Sequence, residues 1–184
     1  MTSKRLSSVL LACALGLVAT ADAQREQNLS LPDGVRLRIT VPAGYSYETQ
    51  RNQFGAALVK MENPVWQIAV AAIVSPEPDR ANTTREWQEN RLITFVADAL
   101  AIAAEKDYEF QPLYPKSGSG VFLVFTDPRV AKREPLPPGE YAHLVGGVKA
   151  WPGTTIVFQI LTNSITTPEF EEMMTVFRES FVKR

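Results

Sequence analysis

The sequence predicts an α+β fold: a single domain in which a central antiparallel sheet of about six or seven strands is flanked by two helices. Three observations predict it. The segment Trp66–Val74 is apolar on both faces except at Gln67, the pattern of a central strand covered on two sides. Two other segments, one in mid-chain and one near the C-terminal end, carry an apolar stripe at helical spacing. The order of elements, three strands, a long helix, four strands and a closing helix, suits hairpin-connected strands with a helix on each side.

The first 23 residues stand apart from that pattern. Lys4 and Arg5 form a basic start, Leu6–Ala19 an apolar run, and Ala21-Asp22-Ala23 a small-x-small cleavage signal, together the anatomy of a secretory signal peptide. The run is shorter than the ~20 residues of a spanning helix. Leu10-Leu11-Ala12-Cys13 loosely resembles a lipobox, so lipid anchoring at Cys13 is the alternative. The apolar run continues past Cys13, however, and Leu11 is unusual at its place. The expectation is a leader over 1–23, a globular domain over 24–184, and a periplasmic location, with secretion as its alternative. Cys13 is the only cysteine and would leave with the leader, so no disulfide is expected.

Val35, Leu37, Ile39 and Val41 alternate with Arg36, Arg38 and Thr40, which predicts a strand with one face buried and the other toward solvent or a polar layer. Pro42-Ala43-Gly44 ends it. Gly55–Met61 reads as the next strand, and the break Glu62-Asn63-Pro64 leads to Trp66–Val74. After the loop 75–79, Thr83 with Glu86 three residues on forms a capping box. The stretch from Thr84 to Ala104 lacks Gly and Pro and places Leu92, Phe95, Val96, Ala99 and Ala103 on one stripe, predicting a long helix.

Tyr108–Tyr114 and Val121–Thr126 are expected to form a hairpin around the turn residues Ser117–Gly120. Asp127–Gly139 is the longest irregular segment and reads as an exposed loop stiffened by Pro135, Pro137 and Pro138. Glu140–Ala150 and Thr154–Leu161 form the last strand pair around Trp151-Pro152-Gly153. The glycine pair Gly146-Gly147 within it predicts a bulge. Thr167-Pro168-Glu169 opens the closing helix with a cap, a proline at the first position and an acid at the positive end of the dipole. Phe170, Met173, Met174, Phe177 and Phe181 give it one apolar stripe, so the methionines are core residues.

This element order, the stretch Leu37–Tyr47 (Leu-Arg-Ile-Thr-Val-Pro-Ala-Gly-Tyr-Ser-Tyr) and the helix start Thr166-Thr167-Pro168-Glu169-Phe170 resemble the PsbP-like fold group. That group includes the DcrB-like periplasmic proteins and a nuclear transport factor that binds the GTPase Ran. The resemblance covers roughly Leu31 to Val182. It implies a binding or assembly role without catalysis, and no functional residue is carried over from it.

Composition narrows the function classes. With 45% hydrophobic and 21% charged residues and a net charge of −1, the chain is neither disordered nor a multi-span membrane protein. Its basic residues form no block, which speaks against nucleic acid as a partner. No second apolar run approaches spanning length, so no transmembrane segment is expected after the leader. His143 is the only histidine. Neither a two-His zinc site nor H-E-x-x-H can be built, and no serine sits in G-x-S-x-G. No catalytic residue, metal ligand or cofactor is therefore assigned, and His143 reads as a structural or edge histidine. Ser117–Gly120 lacks the phosphate-loop patterns and reads as a turn.

The binding residues expected are those of the Asp127–Gly139 loop and its neighbour: Arg129, Lys132, Arg133, Glu134 and Tyr141. Arg and Tyr are frequent interface anchors, and a stiffened loop loses less entropy on binding. The functional expectation is an exported, non-catalytic binding protein of the bacterial cell envelope, accessory, adaptor or inhibitor-like, whose partner is a protein or a small ligand. Two alternatives stand beside it. One is hydrolysis of envelope glycan by a carboxylate pair drawn from Glu62, Glu109, Asp127, Glu134 and Glu140. The other is carriage of a small apolar ligand in a cavity lined by Phe95, Phe122, Phe158 and Phe177.

Overall fold

The computed structural model describes residues 23–78, 80–133 and 136–183, without the side chains of Asp33 and Arg80. Apart from Ala23, the expected leader, with Cys13, lies outside the described residues, and so does Glu134. The strands are β1 (Arg25–Ser30), β2 (Arg36–Val41), β3 (Ser46–Arg51), β4 (Ala57–Asn63), β5 (Ile68–Pro76), β6 (Gln111–Pro112), β7 (Ser119–Thr126), β8 (His143–Trp151), β9 (Thr154–Thr162) and β10 (Phe181–Lys183). Helices α1 (Arg85–Leu100) and α2 (Pro168–Glu179) complete the fold. The expected α+β architecture is present: seven antiparallel strands in the order β3-β4-β5-β9-β8-β7-β6. A second, three-stranded sheet, β1-β2-β10, was not expected.

The large sheet separates two cores. On one face, Leu92, Val96 and Ala99 of α1 pack against Val121, Leu123, Phe125, Val148 and Val157. On the other, α2 and the small sheet supply Phe170, Met173, Phe177, Leu37 and Ile39 to a larger core with Val59, Ala72, Phe158 and Ile160. Met173 and Met174 are core residues, as their register predicts. Phe95 belongs to the first core, and Phe122, Phe158 and Phe177 to the second. These four phenylalanines therefore cannot line one cavity, because the sheet stands between them, and Phe158 and Phe177 fill their own space by stacking at 3.8 Å.

Both helices start where capping chemistry directs. The Thr84 hydroxyl accepts from Trp87 N–H and the Thr167 hydroxyl from Phe170 N–H. The first cap falls one residue later than the capping box suggests, because Thr83 closes a short 3-10 turn over 80–83. α1 ends at Leu100 and not at Ala104, whose N–H is captured by Thr126 O at 2.9 Å, drawing the chain out of the helix onto the end of β7. Phe181 lies beyond α2, in β10. Of Tyr108–Tyr114 only Gln111 and Pro112 form a strand; Leu113 N–H still donates to Gly120 O of β7 at 3.0 Å, and Tyr114 adopts a left-handed φ of 51° that turns the chain away.

Pairing runs without a slip through Gly146 and Gly147, so no bulge forms there. The glycines serve close approach, one on each face. A Cβ on Gly146 would stand 2.5 Å from Val96 Cγ1 of α1, and one on Gly147 2.2 Å from Phe158 Cζ. The missing side chains let α1 settle on the first face and the Phe158 ring lie across β8 on the second.

Candidate functional site

α1 lies over β7, β8 and Val157 of β9 and leaves the same face of β4, β5 and the Leu161 end of β9 without a helix. Successive strand residues alternate between faces, so the ladder fixes which side chains share this open one. One transverse row runs Ser46, Glu62, Ala69, Leu161, Leu144, Phe125, each the cross-strand partner of the next. All six line a cavity of about 750 Å³. The row is its floor: apolar from Ala69 to Phe125 and polar at the β3–β4 end, where Glu48 and Lys60 of the neighbouring row join it.

Two walls bound the cleft. Ala99, Ile102 and Ala103 form one, at the end of α1 and just beyond it. The other is formed by residues of 127–133 and 139–142, which are held by ion pairs. The buried Asp127 carboxylate accepts from Arg129 Nε at 2.9 Å, from Arg129 Nη2 at 2.7 Å and from Arg129 N–H at 2.9 Å. This two-pronged contact holds the Asp127 carboxyl below the usual carboxylate range. Arg133 Nη1 donates to Glu140 at 2.7 Å, closing the other half of the loop on itself.

Of the binding residues expected from sequence, Arg129, Arg133 and Tyr141 are brought together on this wall. Lys132 is exposed and does not line the cleft. Glu62, Asp127 and Glu140 line it, whereas Glu109 is exposed elsewhere. Burial and the nearby Glu62 carboxylate raise the pKa of the Tyr141 phenol, so its hydroxyl stays a proton donor. His143 closes the strand end, its Nδ1 3.3 Å from Thr126 Oγ1, and burial lowers its pKa against the opposing pull of Glu105. A third brace runs behind the wall. Asn163 Nδ2 donates to Gln67, and Asn163 Oδ1 accepts from Ala142 N–H, tying the β4–β5 turn to the loop's exit.

Sequence reasoning missed Ser46, Glu48, Lys60 and the floor. A signal was present. Trp66–Val74 is apolar on both faces and demands two covers, yet α1 is too narrow to reach across it. Ala69 is half-buried and Ile73 40% exposed, as befits an apolar strand face that no helix covers.

What the arrangement offers is a preorganised surface, an apolar floor with polar and charged groups at one end and along one wall. Asp127 and Glu140 are each committed to an arginine. No group of three or more His, Cys, Asp or Glu suited to a metal occurs among the described residues. No described helix is long and apolar enough to cross a membrane.

No family model matches the chain, and no curated protein matches it. Among solved structures it is similar to cyanobacterial PsbP (CyanoP) from Synechocystis sp. PCC 6803, with a TM-score of 0.49 and 16% sequence identity over 95% of this chain and 99% of that one. The resemblance to PsbP is one of fold, and no residue role crosses with it.

Proposed function

We propose that this chain is a non-catalytic binding protein, exported to the bacterial cell envelope, whose transverse cleft receives an extended segment of a partner protein. The observation that carries this reading is the row from Ser46 to Phe125, which makes one continuous floor across six strands. At the usual strand spacing that floor is ~24 Å long. An extended chain of about seven residues matches that length. Its side chains would cover Ala69, Leu161 and Leu144, and its backbone and charges would meet the polar ends.

Groups free to do so are in place. Among the described residues Lys60 and Glu62 make no ion pair within 4.0 Å, in contrast to Arg129 and Arg133. The wall is already paired before any partner arrives, which lowers the ordering cost of binding. Export rests on the leader expected over 1–23.

The test is photo-crosslinking from a probe on Ala69→Cys, in a chain whose only other cysteine is Cys13, combined with native mass spectrometry of the protein recovered from its own cells. A partner polypeptide crosslinked at position 69, and lost when Leu161→Arg blocks the floor, is the expected result. A retained mass of a few hundred daltons in place of a polypeptide would overturn the reading in favour of a small ligand. A bare chain without crosslinks would overturn it altogether.

A further inference from the structure

The outward face of the small sheet carries a second depression, of about 500 Å³, lined by Asn28, Ser30, Arg36, Arg38, Phe181 and Lys183. These six residues are two adjacent cross-strand rows: Ser30–Arg36–Lys183, and Asn28–Arg38–Phe181 beside it. Arg38 is already engaged. Its guanidinium lies over the Phe181 ring at 4.8 Å and pairs with Glu26 at 2.5 Å. Arg36 and Lys183 are not: they face each other directly across the β2–β10 ladder, and among the described residues neither has an acid within 4.0 Å.

Like charges placed directly opposite on neighbouring strands destabilise a sheet. Here the cost is set in a chain whose net charge is −1, so it is not the by-product of a generally basic surface. The remaining groups of the depression complete a donor set: the Ser30 hydroxyl and the Asn28 amide flank the cations, and none of the six lining residues is acidic. Two unneutralised cations, one of them a guanidinium fork, match a doubly charged tetrahedral anion better than a single carboxylate.

We infer that the Ser30–Arg36–Lys183 row with Asn28 is a binding site for a phosphoryl group, either on a free phosphorylated molecule or on the headgroup of an anionic lipid. It lies on a different sheet from the cleft and does not depend on what the cleft binds.

The test uses the full chain, with pyrophosphate as the soluble probe and phosphatidylglycerol–phosphatidylcholine vesicles as the lipid probe, at matched ionic strength. Pyrophosphate is expected to raise the melting temperature where equivalent chloride does not. Arg36→Gln and Lys183→Gln should each weaken that response about threefold or more. The same substitutions should raise the melting temperature in the absence of anion, because they relieve the cross-strand repulsion, a readout that general damage would not give. Vesicle co-sedimentation lost on Lys183→Gln places the phosphoryl group on a lipid; a pyrophosphate response without co-sedimentation places it on a soluble molecule. The inference is overturned by an absent response to both probes, or by responses equal in the native chain and in the Arg36→Gln/Lys183→Gln double variant.

Discussion

The ammonium of Lys149 donates to the carbonyl oxygen of Ser180 at 2.6 Å, tying the interior strand β8 to the residue at which α2 stops. Lys149 is wholly buried, and its Nζ also reaches Phe177 O at 2.9 Å, Arg178 O at 3.1 Å and Ser180 Oγ at 3.3 Å, with the Trp151 ring 4.6 Å away. Helix C-terminal carbonyls lack intrahelical donors and carry the negative end of the dipole. A cation is therefore an apt cap, and here it is delivered from the sheet. Ser180 leads directly into β10, so the same contact sets where the chain leaves α2 to join the small sheet.

Burial pushes the Lys149 pKa down to about 7, while an unfolded lysine keeps its ordinary value near 10.5. Between those values the unfolded chain binds the proton and the folded chain does not, so stability contributed at this site rises with pH across that window. Below it both states are charged and the cost of burying the ammonium is complete. Urea unfolding of the native chain and of Lys149→Met at pH 6, 8 and 10 should show the native chain gaining on the variant as the pH rises. A gap independent of pH would contradict the assignment.

Gly147→Ala should destabilise the fold by about 1–3 kcal/mol, the usual cost of overpacking. The new methyl would meet the Phe158 ring 2.2 Å away and force it off its stack with Phe177. Denaturant midpoints measure the loss, and near-ultraviolet circular dichroism should change with it.

The loop wall depends on one buried carboxylate. Asp127→Asn keeps the side chain's size but loses the charge that anchors Arg129, so backbone amides from Arg129 to Arg133 should exchange severalfold faster in hydrogen–deuterium measurements. In the native chain the anchor is complete above the ordinary carboxylate range and is lost as the pH falls through the lowered Asp127 value. Acid should therefore accelerate exchange in this loop beyond its intrinsic pH dependence, and should do so less in the variant.

Asn82 is fully buried, and its Nδ2 donates to Trp151 O at 2.8 Å, Thr155 Oγ1 at 3.2 Å and Thr154 O at 3.3 Å. It fastens the entry of α1 to the β8–β9 turn. Asn82→Ala should cost about 2–3 kcal/mol, because buried acceptors are left without a donor. Thermal or urea unfolding would measure it.

Legibility in the sequence followed the strength of the physical signal. β2 and β5 declared themselves through alternation and through a two-sided apolar run, and both helices through their caps. β1, β3 and β10 did not. β1 has one buried residue, Leu29, and β3 has none, so neither shows a buried face. β10 is only three residues long and begins directly after Ser180, where α2 stops against Lys149. The bulge expected at Gly146-Gly147 proved to be close approach, since two glycines look alike in sequence whether they bend a strand or admit a neighbour. At the cleft, the loop arginines and Tyr141 were visible as residue types. The floor was not, because it is assembled from one position on each of six strands, and only the register brings those positions into line.

The seven-stranded sheet has two free sides, and neither invites another strand. One ends in β6, whose two residues include Pro112; the other ends in β3, Ser-Tyr-Glu-Thr-Gln-Arg, which sets Glu48 and Arg51 along its border. Edges this short or this charged are poor templates for fibre growth. The large sheet can thus keep a long apolar furrow open while offering little at either side for a further strand to add to.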